Sequence, residues 1–91
     1  MNIEHEIGET KGRFLTHGAG GVAELSYSIA GEHMIIIDHT DVPAEMKGQG
    51  IGDALFLRMV EHARAKGVKV VPLCPFAKSR FAKYPETRDV T

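Results

Sequence analysis

The residues Met34 to Lys66 read MIIIDHTDVPAEMKGQGIGDALFLRMVEHARAK, and this stretch decides the fold. MIIIDHTDV is an apolar run long enough for a buried strand, and the three consecutive isoleucines suggest burial on both faces. Pro43 stops ladder hydrogen bonding, and the segment from Pro43 to Gly52 is rich in glycine. A helix then takes over, with Ile51, Leu55 and Met59 on one stripe flanked by Ala54, Phe56, Val60 and Ala63. Gly48, Gly50 and Gly52 lack a Cβ, so the backbone there can turn sharply and present N–H groups to an anion at the positive end of the helix. Strand, glycine loop and helix together call for a phosphorylated ligand.

Spacing excludes two common versions of that unit. A Walker loop requires Gly-Lys-Ser/Thr at its end, and no such triplet follows Gly52. A dinucleotide fingerprint requires Gly-x-Gly-x-x-Gly in an early βαβ unit, whereas these glycines alternate and lie late in a short chain.

Outward from the central stretch, Lys11 to His17 is compatible with a short strand, and Gly18, Gly20 and Gly21 mark a turn. Val22 to Ile29 alternates, with Ala23, Leu25, Tyr27 and Ile29 on the face expected to be buried. With Met34 to Val42 this makes a three-stranded antiparallel meander. Gly67 suits the left-handed cap of the helix, and Asp53 at its start and Arg64 and Lys66 at its end complement its dipole. Val68 to Leu73 is a fourth strand, reached by a helical crossover and so parallel to the third. Pro75 suits the first position of a second helix running to about Tyr84, with Cys74 as its N-cap. Met1 to Thr10 is polar and poorly patterned and is expected to fray, and Glu86 to Thr91 reads as a polar tail.

The 91 residues are expected to form a single α+β domain over 1–91, with room for one modest core. With 11 basic and 12 acidic residues the net charge is -1, which favours neither nucleic acid nor an anionic membrane. A lone cysteine rules out an internal disulfide and fits a reducing compartment, so the expected location is the cytoplasm. The N-terminus lacks the pattern of a signal peptide, and no apolar run approaches a membrane span. His5, His17, His33, His39 and His62 share no metal-ligand spacing, so no metal is expected.

The segment Lys47 to Gly52 resembles the pyrophosphate loop of the Gcn5-related N-acetyltransferases, Gln/Arg-x-x-Gly-x-Gly/Ala, with Lys47 at the position usually held by Gln or Arg. AELSYSI, IIIDHTDVP, KGQGIGDAL, ARAKGVKVVPLCPF and KYPETRD, in this order, resemble the compact branch of that family often called YjdJ-type; the likeness covers about Ala23 to Asp89. The resemblance implies a trimmed acetyltransferase fold: a curved, mostly antiparallel sheet of about four strands, one loop-bearing helix, a parallel strand after it and a short C-terminal helix. It implies acetyl-coenzyme A or coenzyme A as cosubstrate and an amine, small or on a protein or peptide, as acceptor. The extra helices and strands with which larger relatives build an acceptor pocket have no room here. Tyr84 stands where a His commonly precedes the Pro.

On that resemblance the pyrophosphate is met by Lys47, Gly48, Gln49, Gly50, Ile51, Gly52 and Asp53, although the Asp53 carboxylate competes with phosphate unless it turns away. Val42 pairs with the pantetheine amide, the backbone near Thr40 holds the acetyl carbonyl, and Pro75, Lys78 and Arg80 on the second helix lie toward the coenzyme. His39 is a candidate general base, since imidazole titrates near neutral pH. Cys74, at a strand end and a helix start where the dipole favours thiolate, is a candidate acyl-accepting nucleophile, a proton donor to the departing thiolate, or a buried structural residue. A slot is expected where Pro43 and Pro72 part the third and fourth strands. The alternative to an acetyltransferase is a coenzyme A binding module with little turnover. The oligomeric state is left open and is compatible with a monomer.

Overall fold

The computed structural model describes residues 1–91. Five strands form one sheet in the order β1 (Glu4–Ile7), β2 (Lys11–Gly18), β3 (Gly21–Ile29), β4 (Met34–Asp41) and β5 (Lys69–Pro72). The first four pair antiparallel, and β5 lies parallel to β4 after the crossover through helix α1 (Ile51–Lys66). Helix α2 (Pro75–Lys83) follows β5, and a 3-10 segment, Pro85–Val90, ends the chain. No helix is long and apolar enough to cross a membrane.

Both helices pack on one face of the sheet. Phe14, Leu25, Tyr27, Ile35, Ile37 and Val70 point from the strands into a common core with Leu55, Phe56, Met59 and Val60 of α1 and Ala77 and Phe81 of α2. The Phe56 and Phe81 rings meet edge to face, with centroids 4.8 Å apart, which fixes the angle between the helices. Truncating a core ring such as Phe56 to alanine costs about 3–5 kcal/mol. The opposite face carries no helix. Ile36 is therefore only half-buried, and the isoleucine run of β4 is covered on one side rather than two.

Two terminal segments are more ordered than their composition suggests. β1, EHEI, has no apolar alternation, yet it pairs with β2 along its whole length. Its inward residue is His5, which stacks on Phe14 at 4.0 Å and hydrogen-bonds through Nε2 with the Tyr27 hydroxyl. Burial, reinforced by His62, Arg58 and Lys66, pushes the His5 imidazole down to about 4, so it packs as a neutral ring. Gly12 makes room for this, because a Cβ there would strike the Tyr27 ring. At the other end Thr87 and Val90 are buried. Arg64 holds the tail through both carboxylate oxygens of Asp89 at 2.7 and 2.9 Å, and the Lys69 ammonium donates to the Asp89 carbonyl.

Candidate active site

The site begins where two strands part. The β4–β5 register runs from Met34↔Lys69 to Ile37↔Pro72 and stops. There Asp38 forms a bulge, since Tyr27 pairs with Ile37 while Ser26 pairs with His39. The extra residue reverses the alternation of β4. Ile35 and Ile37 point inward before it; after it Thr40, opposite buried Leu25, takes the inner face and His39, opposite Ser26, the outer one. The N–H groups of Leu73 and Cys74 both reach the Ile37 carbonyl at 3.3 Å, and no β5 residue pairs with β4 beyond that point. The strands part at Pro72 as expected, but on the β4 side the parting begins at the Asp38 bulge and not at Pro43, which lies beyond the end of β4.

On the inner side of the slot the chain turns through a 3-10 segment, Ala44–Met46, into the glycine loop. Gly48 and Gly50 have φ of 79° and 74°, in the left-handed region, and the space where their Cβ atoms would lie is open. Gly50 is the N-cap of α1 and contributes no capping side chain. None of the backbone N–H groups from Gly48 to Asp53 donates to a protein acceptor; the first to do so is that of Ala54, to the Gly50 carbonyl at 3.0 Å. This uncapped helix start faces a cleft of about 400 Å³.

The Asp53 carboxylate is turned away from those N–H groups. It accepts from Arg80 Nη1 at 2.9 Å, Lys83 Nζ at 2.8 Å and the Tyr84 hydroxyl at 2.7 Å, which ties the start of α1 to α2. Burial alone would raise its pKa, but the hydrogen bonds from Lys83, Tyr84 and Arg80 outweigh burial and hold it at about 2. The Arg80 guanidinium also stacks 4.8 Å over the Phe76 ring, and that ring lies 2.8 Å from where a Cβ on Gly52 would sit. Gly52 is thus needed for close approach, whereas Gly48 and Gly50 are needed for their backbone angles.

Cys74 is buried, 5 % exposed, and is the N-cap of α2. Its Sγ accepts the Ala77 N–H at 3.4 Å and lies 3.8 Å from Thr40 Oγ1 across the slot. His39 is on the open face, where Nδ1 is 2.9 Å from Ser26 Oγ and Nε2 is 3.5 Å from Glu24. Glu24 also accepts from Arg13 at 2.7 Å; that bond, and to a lesser degree His39, holds its carboxyl below the usual range against an opposing effect of burial.

The structure thus gathers Thr40, Val42, Lys47, Gly48, Gly50, Ile51, Gly52 and Asp53 around one cleft. Gln49 instead donates to the Glu45 carbonyl, and Pro75, Lys78 and Arg80 are not among its walls. Arg80 is occupied by Asp53. Asp41, Met46 and Phe76 also wall the cleft, and neither they nor the Asp53–Arg80–Tyr84 latch stands out in the sequence. Its members are joined across helices and leave no local spacing to find. No group of three or more His, Cys, Asp or Glu side chains is arranged to hold a metal.

Residues 13–90 match a protein family described as GCN5-related N-acetyl-transferase. Among solved structures, the chain is similar to a GCN5-like candidate N-acetyltransferase from Staphylococcus aureus determined by NMR. That likeness has 37% identity and a TM-score of 0.71 over 98% of this chain and 87% of that one. A search of curated proteins gives no match.

Proposed function

This chain belongs to the GCN5-related N-acetyltransferase family, a family of acyltransferases, and from that premise we propose that it uses acetyl-coenzyme A to acetylate an amine. The observation that carries the reading is the run of unpartnered N–H groups from Gly48 to Asp53, opening on a cleft whose two carboxylates are Asp53, bound to α2, and Asp41 at the end of β4. Backbone donors converging at the positive end of a helix fit a pyrophosphate, and the ion pairs of Asp53 with Arg80 and Lys83 lessen its repulsion of one. Lys47 lines the same cleft without an ion-pair partner and adds a cation.

Bound acetyl-coenzyme A supplies an activated thioester. The unpaired edge of β4 at Thr40 and Asp41, with Val42 just beyond it, offers backbone groups to its pantetheine arm, and a Thr40 N–H aimed at the acetyl oxygen would stabilise the oxyanion. His39 takes the proton that the attacking amine loses. The Cys74 thiol, beside Thr40 at the slot, gives a proton to the departing sulfur and recovers it from His39 through solvent. The burial of Cys74 and its place as cap of α2 favour this proton-holding role over an acyl-cysteine intermediate.

The test is thiol release from acetyl-coenzyme A with a panel of amines, combined with intact-protein mass measurement after fast quench. Amine-dependent release that fails in Cys74→Ala, with no mass gain on the parent, supports the mechanism. An acetyl adduct on Cys74 replaces it with a two-step transfer. Coenzyme binding without release makes the chain a coenzyme A binding module.

A further inference from the structure

The face of the sheet without helices holds a second, larger cavity of about 620 Å³, lined among others by Glu6, Arg13, Glu24, Ser28, Asp38 and His39. We propose that this groove is the acceptor site and that it selects a small linear di- or polyamine, an inference that rests on the acetyltransferase reading above.

Three observations carry it. The slot is shared by two faces, and the inner one is occupied by α1, α2 and nearly buried Cys74, so an acceptor must come from the open face. The same bulge that parts β4 from β5 turns His39 onto that open face, next to Thr40 in the slot. Finally, Glu6, Arg13, Ser26 and His39 lie in register across four strands. At about 4.8 Å per strand, that row spans roughly 14 Å. A groove of this size suits a small molecule rather than a folded partner.

The charges set the class of molecule. Arg13 is the only guanidinium in the groove and is divided between two carboxylates, Glu6 at 2.8 Å and Glu24 at 2.7 Å. Asp38 accepts only from the Ser28 hydroxyl, at 2.7 Å. The remaining cation, Lys11, lies opposite Ser28 in the register, and the three carboxylates Glu6, Glu24 and Asp38 outnumber the two cations by one. An amine carrying a second positive charge finds surplus carboxylate along the groove and an imidazole, oriented by Ser26 and Glu24, at the reacting end. In the transfer, the amine nitrogen bonds to the acetyl carbon and the carbon–sulfur bond breaks. The amine proton passes to His39, and the coenzyme leaves as its thiol.

The experiment is an amide NMR titration of the full chain, first with coenzyme A and then with 1,5-diaminopentane, using n-pentylamine and a lysine-containing peptide as comparisons. The diamine should give saturable shifts at Arg13, Ser26, Ser28 and His39, and n-pentylamine should bind more weakly. Asp38→Asn should weaken the diamine about threefold, as for a partly exposed ion pair. Arg13→Gln, which frees both glutamates, should tighten it by a similar factor, an outcome that mere damage to the sheet cannot produce. Coenzyme shifts at Gly48 to Asp53 without diamine shifts on the open face overturn the acceptor site and leave the coenzyme reading intact. Diamine shifts with a silent glycine loop do the reverse. Equal binding of n-pentylamine, or a response to the peptide alone, overturns the polyamine assignment.

Discussion

The two helices of this chain begin within one site and in opposite ways. At the start of α2, Pro75 removes one N–H, the Cys74 sulfur accepts another from Ala77, and the N–H of Lys78 bonds to the Cys74 carbonyl. At the start of α1 the cap is Gly50, no side chain intervenes, and the N–H groups from Gly48 to Asp53 are left without protein acceptors. A glycine in place of a capping side chain forgoes a few tenths of a kcal/mol of stability. The chain seals α2 and keeps α1 open, which is the difference expected between a helix that only needs to be held and one whose donors are reserved for an anion. Asp53 sharpens the contrast. A first-turn carboxylate would normally serve the helix dipole, but here it is pulled sideways onto α2.

Making the two starts alike should have the largest effect. Gly50→Asp places a carboxylate among the free donors and strains the left-handed backbone at φ 74°, and the two effects together should weaken coenzyme A binding about a hundredfold. Calorimetric titration measures it, and unchanged affinity would mean that these donors do not meet the ligand. Next is the latch. Because the folded pKa of Asp53, about 2, lies below its ordinary 3.8, the unfolded chain binds more protons in that interval, and the associated stability is complete above pH 3.8 and lost as pH falls toward 2. The shift corresponds to about 2 kcal/mol. Urea unfolding across this range should show a slope that Asp53→Asn reduces, the remainder coming from Glu24 and Asp89, whose carboxyls are also held below their ordinary range.

A smaller effect is expected at the sealed start. Cys74→Ala should lower stability by about 1 kcal/mol with little change in coenzyme A affinity, whereas Cys74→Ser should retain most of the cap. Thermal melts of the two variants separate the capping role from the chemical one. The smallest effect belongs to Lys47, whose charge is exposed at the cleft: Lys47→Ala should cost about threefold in affinity at low salt and less as salt rises. An identical salt dependence in parent and variant would remove Lys47 from the phosphate site.

Much of this contrast was legible before folding. Gly48, Gly50, Pro75 and Gly67 carry their meaning in backbone geometry, so the loop, both helix starts and the end of α1 follow from residue type alone. What escaped depends on contacts between distant residues. β1 hid because its inward residue is a half-buried, neutral His5 against Phe14 and Tyr27, which no hydrophobic periodicity detects. The C-terminal 3-10 segment hid because its anchor is the Arg64–Asp89 pair rather than an apolar stripe. The bulge at Asp38 had no marker either, since its cause lies in the pairing with β3, and with it went the side of the sheet on which His39 stands.

The most direct test of the central claim compares the calorimetric affinities of coenzyme A, dephospho-coenzyme A and pantetheine. If the open start of α1 holds a pyrophosphate, the first two bind with comparable strength and pantetheine, which lacks that group, binds far more weakly. Equal binding by pantetheine would contradict the account, because the N–H groups from Gly48 to Asp53 would then have no part in recognition.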